Sequence, residues 1–205
     1  MELGLKDRAV VVTGASKGIG LACVRAFAAE GARVAMISRS RANLDAALAA
    51  MPPSAHRPVA IAADLARADE AARAIAEAER ALGPIDVLVN SAGAAKRHPP
   101  DELTAQAWRD AMEAKFFSYV HPTDLVVKAM AKRGRGAIVN VVGQGGKVAN
   151  PVHLPGGAAN AALMLATAGL AAAYAPRGVR VNAINPGATL TTRVEEGLAA
   201  ESRMT

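Results

Sequence analysis

Short apolar runs alternate with helix-patterned stretches from one end of the chain to the other. The runs Ala9 to Val12, Arg33 to Ser38, Val59 to Ala62, Ile85 to Asn90, Gly136 to Val142 and Val179 to Ile184 read as strands. Between them, Gly18 to Glu30, Arg41 to Met51, Arg67 to Leu82, about Thr104 to Lys132 and about Gly157 to Tyr174 read as helices. No hairpin signal separates two strands, so right-handed crossovers must join them and the sheet must be parallel and covered on both faces. This pattern predicts an α/β protein, a doubly wound parallel sheet of Rossmann type in a single domain spanning 1–205. Ligands of such a sheet sit at the carboxyl ends of the strands.

The first of those ends is the most telling. In RAVVVTGASKGIG, residues 8–20, an apolar strand runs into a turn punctuated by Gly14, Gly18 and Gly20, and the turn opens a helix. Glycines there let the backbone turn tightly and approach a ligand, and the free N–H groups of the helix start favour an anionic pyrophosphate. The spacing Gly-x-x-x-Gly-x-Gly is one residue off the dinucleotide fingerprint, and the Gly-Lys-Ser/Thr ending of a triphosphate loop is absent. A tight strand-to-helix turn with no ligand remains an alternative on this stretch alone. The other strand ends to weigh are 38–41, 63–65, 90–93, 142–155 and 185–192.

Composition narrows the function classes. The chain has 205 residues, enough for one well-buried core. Its 52% apolar content is inflated by alanine runs, and only 158–175, mostly Ala and Gly, approaches the length of a membrane span. The N-terminus MELGLKDR has no apolar core of signal-peptide length. A cytoplasmic protein with no membrane partner is therefore expected. Cys23, the single cysteine, excludes an intramolecular disulfide, and no metal site is expected. The net charge of +6 is spread over scattered Lys and Arg, and at 3% aromatic content few rings are present for base stacking, which argues against nucleic acid. The positive potential suits a phosphorylated cofactor instead.

Five stretches in order, TGASKGIG at 13–20, DL at 64–65, NSAG at 90–93, IVNVV at 138–142 and RVNAINPG at 180–187, resemble the motif series of the short-chain dehydrogenase/reductase family. The resemblance covers essentially the whole chain and implies a nicotinamide dinucleotide cofactor and a small-molecule carbonyl or alcohol substrate. It implies that Gly14, Ser16, Lys17, Gly18, Ile19 and Gly20 cradle the pyrophosphate. Asp64 and Leu65 would border the adenine, and Asn90, Ala92 and Gly93 the adenosine ribose. Pro186, Gly187, Thr189 and Thr191 would flank the nicotinamide. Asp64 can also cap the helix at Arg67. At the end of the second strand, where an acidic residue usually holds the 2′-hydroxyl of NAD, stand Ser38, Arg39 and Ser40. A guanidinium there can grip a 2′-phosphate, and Lys17 adds charge, so NADP(H) is favoured over NAD(H).

The family is known for a Ser, a Tyr thirteen residues later, a Lys four beyond it, and an Asn in the preceding long helix. Aligned on IVNVVG at 138–143, PGGAANAAL at 155–163 and Trp108, this sequence carries Gly143, Gly156, Asn160 and Lys115 at those places. Two residues can stand in as proton donors. Lys115 lies on the apolar stripe Trp108, Met112, Phe116 and Tyr119, where it must snorkel or point into a polar cleft. His153 would lie beside the vacated tyrosine space, and a histidine there exchanges protons near neutral pH. Asn160 can still bond the nicotinamide ribose, while Tyr119 and Tyr174 read as packing residues. QGGK at 144–147 and PGG at 155–157 strip side chains from the space over the nicotinamide, as suits a bulky or anionic substrate.

Two functions follow: an NADP(H)-dependent oxidoreductase with a non-standard proton donor, or a catalytically silent NADP(H)-binding sensor or scaffold subunit. A homodimer or homotetramer is expected, through the small-residue face of 158–173 and the long helix carrying Phe117 and Val120. Family members continue past the Pro-Gly motif with a lid, a helix and a seventh strand, which this chain, ending at 205, is expected to lack.

Overall fold

The computed structural model describes residues 2–93, 95–187 and 189. Thr191 and the region of the expected seventh strand lie outside the described residues. Six strands form one all-parallel sheet in the order β3-β2-β1-β4-β5-β6. They are β1 (Ala9–Thr13), β2 (Arg33–Ser38), β3 (Val59–Ala62), β4 (Val87–Asn90), β5 (Gly136–Val141) and β6 (Val179–Ile184). Val10 pairs with Val34 on one side and Val87 on the other, so β1 is central, and all five of its residues are buried. A strand covered on both faces needs no polar alternation, which is why AVVVT reads as an unbroken apolar run.

Helices α1 (Gly18–Ala29), α2 (Arg41–Ala49) and α3 (Ala68–Leu82) connect the first four strands. Val10, Val12, Val34 and Met36 pack on one face with Val24 of α1 and Leu44 of α2. Val11, Ile37, Leu88 and Ile138 pack on the other with Ile75 of α3 and with Val126 and Met130 of α5 (Ser118–Arg133). The pleat sends successive side chains of each strand to opposite faces, which divides the core in two. Arg67 rather than Asp64 occupies the position before α3, and its side chain caps nothing. Asp64 instead accepts from Ala66 N–H at 3.1 Å in a local turn, and Glu70 reaches back to the N–H of Asp64 at 2.8 Å.

The long helix expected over 104–132 is present but built in three parts. α4 (Ala105–Ala111), capped by the Thr104 hydroxyl, runs into a π-helical stretch over Met112–Phe117, and α5 follows without a break. The last helix, α6 (Leu154–Tyr174), starts three residues before the expected Gly157, because Pro155 fits a first helical turn, where no N–H is missed. Inside the molecule the Asn90 amide donates to Thr123 Oγ1 (2.8 Å) and Asn140 Oδ1 (2.9 Å). Asn140 in turn donates to Thr167 Oγ1 (2.9 Å), so one buried polar chain ties β4 and β5 to α5 and α6.

Candidate active site

The connection out of β1 runs one way across the sheet and that out of β4 the other, which opens a crevice between their carboxyl ends. Thr13 Oγ1, fully buried, accepts from the N–H groups of Ser91 (3.0 Å) and Ala92 (3.1 Å) and draws the loop after β4 against the end of β1. Gly14 then turns with φ of 64°, and a Cβ on it would stand 2.5 Å from the Ser91 carbonyl oxygen, so only glycine lets the two loops meet. Lys17 precedes α1 with its side chain making no cap, so no side chain of its own covers the start of that helix.

A cavity of about 530 Å³ follows this crevice, within the size range of ligand pockets. One end of it is walled by Gly14, Ser16, Lys17, Gly18, Ile19 and Gly20. Beside them lie Ser38 and Arg39, with Ser16 and Ser38 hydroxyls 3.0 Å apart. Asp64, Leu65, Ala92 and Gly93 form the adjoining wall, and Pro186, Gly187 and Thr189 the far end. Three residues expected at the cofactor stand off this wall. Ser40 spends its hydroxyl on the Asn43 N–H, capping α2. Asn90 is fully buried in the polar chain beneath β4. Asn160 is buried under the loop 143–146, its amide nitrogen 3.4 Å from where a Cβ on Gly143 would be.

Lys115, in the π-helical stretch, lines the cavity. Its ammonium donates to Tyr119 Oη at 3.1 Å and to the Val141 carbonyl at 3.3 Å, and lies 4.8 Å from the Tyr119 ring centre. Tyr119 Oη itself donates to Val141 O at 2.6 Å. Tyr119 is buried as a packing residue should be, but its phenol oxygen also accepts from the lysine, a contact the apolar stripe concealed. The spacing of four between Lys115 and Tyr119 on one helix was the available signal.

His153 stands just before α6, and its ring occupies the space over Gly156: a Cβ on Gly156 would overlap its Cε1 and Nε2. Ala95 closes the same space from the loop after β4. Burial pushes the imidazole below its usual range, and the charges of Arg97 and Lys115 push it the same way. The ring is therefore neutral at pH 7. At the end of β5, Gly143 has φ of 119°, a conformation that L side chains rarely adopt.

A glycine turn feeding a helix start at the switch point of a 3-2-1-4-5-6 parallel sheet defines a dinucleotide-binding α/β protein. Residues 8–202 match the short chain dehydrogenase family, and the chain belongs to it. The galactitol 2-dehydrogenase (L-tagatose-forming) of Cereibacter sphaeroides is 40% identical over 189 residues, 91% of this chain and 73% of that protein. The L-xylulose reductase of Homo sapiens is 36% identical over 94% of this chain and 76% of its own length. The L-sorbose reductase of Gluconobacter frateurii, solved with NADPH and L-sorbose, superposes with a TM-score of 0.88 at 29% identity, over 93% of this chain and 73% of that one. This protein is thus an oxidoreductase of short-chain dehydrogenase type, in a family that uses NAD(P)(H).

Proposed function

We propose that the protein transfers a hydride between NADP(H) and the carbonyl or alcohol carbon of a ketose–polyol pair, with a proton exchanged by residues other than the family's Tyr and Lys. The whole chain, 1–205, serves as the dinucleotide-binding domain. The fit of the cofactor rests on the cradle itself: a glycine turn that a Cβ would close, an α1 start without a side-chain cap, and Arg39 on the cavity lip at the end of β2. Arg39 is the observation that carries the preference for the 2′-phosphate, because a guanidinium meets a phosphate monoester with two N–H bonds where a carboxylate would repel it. When bound, the nicotinamide ring supplies or accepts the hydride.

The chain's own residues have the remaining work. As a carbonyl oxygen gains charge, the ammonium of Lys115, held on the cavity wall, stabilises it. His153, neutral at pH 7 and beside the glycine that replaces the phenol, takes the hydroxyl proton during alcohol oxidation and, once protonated, returns it during reduction. Gly143, on the cavity wall, leaves room for a sugar chain, whereas the space over Gly156 is filled by His153. The substrate class draws support from the polyol dehydrogenases and ketose reductases among the relatives.

The test is cofactor oxidation with L-tagatose, L-xylulose and L-sorbose, using NADPH and NADH in parallel. Turnover of at least one ketose with NADPH, at a higher kcat/KM than with NADH, is expected. Tight NADPH binding without turnover of any carbonyl compound would overturn the catalytic reading and leave a binding scaffold. Equal use of both cofactors would overturn the Arg39 reading.

A further inference from the structure

Tyr119 sits one helical turn beyond Lys115, across the junction from the π-helical stretch into α5, and is 1% exposed. It does not line the cavity, whereas Lys115 does. Three hydrogen bonds close a triangle at the cavity wall, which Lys115 and Val141 line with Tyr119 behind them: Lys115 Nζ to Tyr119 Oη, Lys115 Nζ to Val141 O, and Tyr119 Oη to Val141 O. Val141 is the last residue of β5, so both acceptors belong to the rigid frame of the sheet and its covering helix. A lysine has a four-carbon stem with many rotamers and a compact head that is strongly hydrated, so an unanchored ammonium here would turn toward water. The phenol removes that freedom. Its own proton is committed to Val141 O at 2.6 Å, which leaves its oxygen lone pairs facing the ammonium as acceptors.

Resting on the reading of Lys115 given above, we propose that Tyr119 is the positioning residue of this site: its phenol oxygen, together with Val141 O, fixes the Lys115 ammonium at the cavity wall. The family's tyrosine–lysine couple is thereby present in a different form. It lies on the helix facing α6, in reversed chain order, with the lysine toward the reacting atoms and the tyrosine behind. The phenol takes no part in proton transfer. No bond is made or broken by Tyr119, and its effect passes wholly through Lys115.

Tyr119→Phe keeps the ring and deletes only the acceptor. The first measurement needs no substrate: a pulse of acetic anhydride on the intact protein, read by peptide mass spectrometry. Loss of the anchor should raise the modification rate of Lys115 about threefold or more, with Lys17 and Lys147 unchanged as internal references. Because the chain has only two tyrosines, a protein grown on 3-fluorotyrosine, whose phenol oxygen is a weaker acceptor, gives a second reading in the same direction should the Phe variant fold poorly. The second measurement is NADPH-dependent reduction of L-tagatose. Tyr119→Phe should lower kcat about tenfold while the KM for ketose and the NADPH affinity stay within about twofold. In a Lys115→Met background the same substitution should have no further effect. An unchanged acetylation rate at Lys115 overturns the proposal, as does an equal loss of kcat from Tyr119→Phe with and without Lys115. If acetylation rises but Lys115→Met retains the wild-type kcat, the anchor is structural and the catalytic reading of Lys115 falls with the proposal. If Lys115→Met loses activity and Tyr119→Phe does not, the proposal alone falls.

Discussion

Arg39 and His153 show how much one side chain can decide at this site. Arg39 is exposed on the cavity lip, and charge-assisted hydrogen bonds contribute about 1.5–3 kcal/mol each. Arg39→Ala should therefore weaken NADPH binding about 10- to 100-fold and change NADH binding little, as nicotinamide fluorescence titration would report. His153 has its pKa depressed first by burial and then by Arg97 and Lys115, so the folded protein holds fewer protons at this ring than the unfolded chain. Its contribution to stability is present above the unfolded value of about 6.5 and is lost as pH falls from there toward the lower folded value. His153→Asn should flatten the fall in thermal midpoint over that acid window. If the ring is also the proton donor, kcat/KM for ketone reduction should decline as pH rises above its depressed pKa, and the variant should lack that limb. Gly156→Ala tests the seat of the ring: the new methyl meets the far end of the histidine side chain and also crowds Ala95 Cβ, so the imidazole should be expelled and the loop after β4 must shift as well. Kinetics like those of His153→Asn, with a somewhat lowered thermal midpoint from the crowding of Ala95, are expected. Gly143→Ser should behave otherwise, losing about 1–3 kcal/mol in a denaturant titration because its φ of 119° strains any L residue.

Among the elements, the helical stretch 105–133 and the strand β5 govern the geometry. The stripe Trp108, Met112, Phe116 and Tyr119 was legible as one apolar helix face, but the π-helical widening over Met112–Phe117 was not. The widened stretch packs against α6, and Gly93 after β4 comes so close that a Cβ there would overlap the Ala114 carbonyl oxygen. This stretch is also where Lys115 stands, in line with the tendency of π-helical segments to occur at functional sites. The Asn140 side chain, 3% exposed, bridges Asn90 and Thr167. Asn140→Ala would strand donors or acceptors on both neighbours, a loss of roughly 2–4 kcal/mol that chemical denaturation should detect. The motif stretch IVNVV that carries this asparagine therefore owes it to the core and not to the cofactor.

At the scale of the molecule, α6 is the unusual surface. The stretch Pro151–Arg177 is apolar and long enough to cross a membrane by length and composition, yet in this fold Leu163 packs inward while Leu165 is 77% exposed. Trp108 and Phe117, each 40% exposed, add apolar area on the neighbouring helical stretch. We propose that a second copy of the chain covers this surface. Leu165→Glu with Phe117→Glu should lower the mass seen by sedimentation, and retention of the wild-type mass would refute the assignment.

The residue pattern by itself determined the sheet, the order of strands and helices within one to three residues at most ends, and the glycine cradle with Arg39 beside it. These rest on local facts: apolar runs, glycine geometry and the sign of a charge at a known strand end. Tertiary structure alone decided which expected residues reach the cavity. Ser40, Asn90 and Asn160 looked equivalent to their neighbours in sequence, but capping occupies the Ser40 hydroxyl, a buried hydrogen-bond chain takes the Asn90 amide, and Asn160 is buried off the cavity wall. Lys115 and Tyr119 could be placed on one helix face from their spacing, whereas their shared bond to Val141, on a strand more than twenty residues away, exists only because the chain crosses over and brings β5 beneath that face.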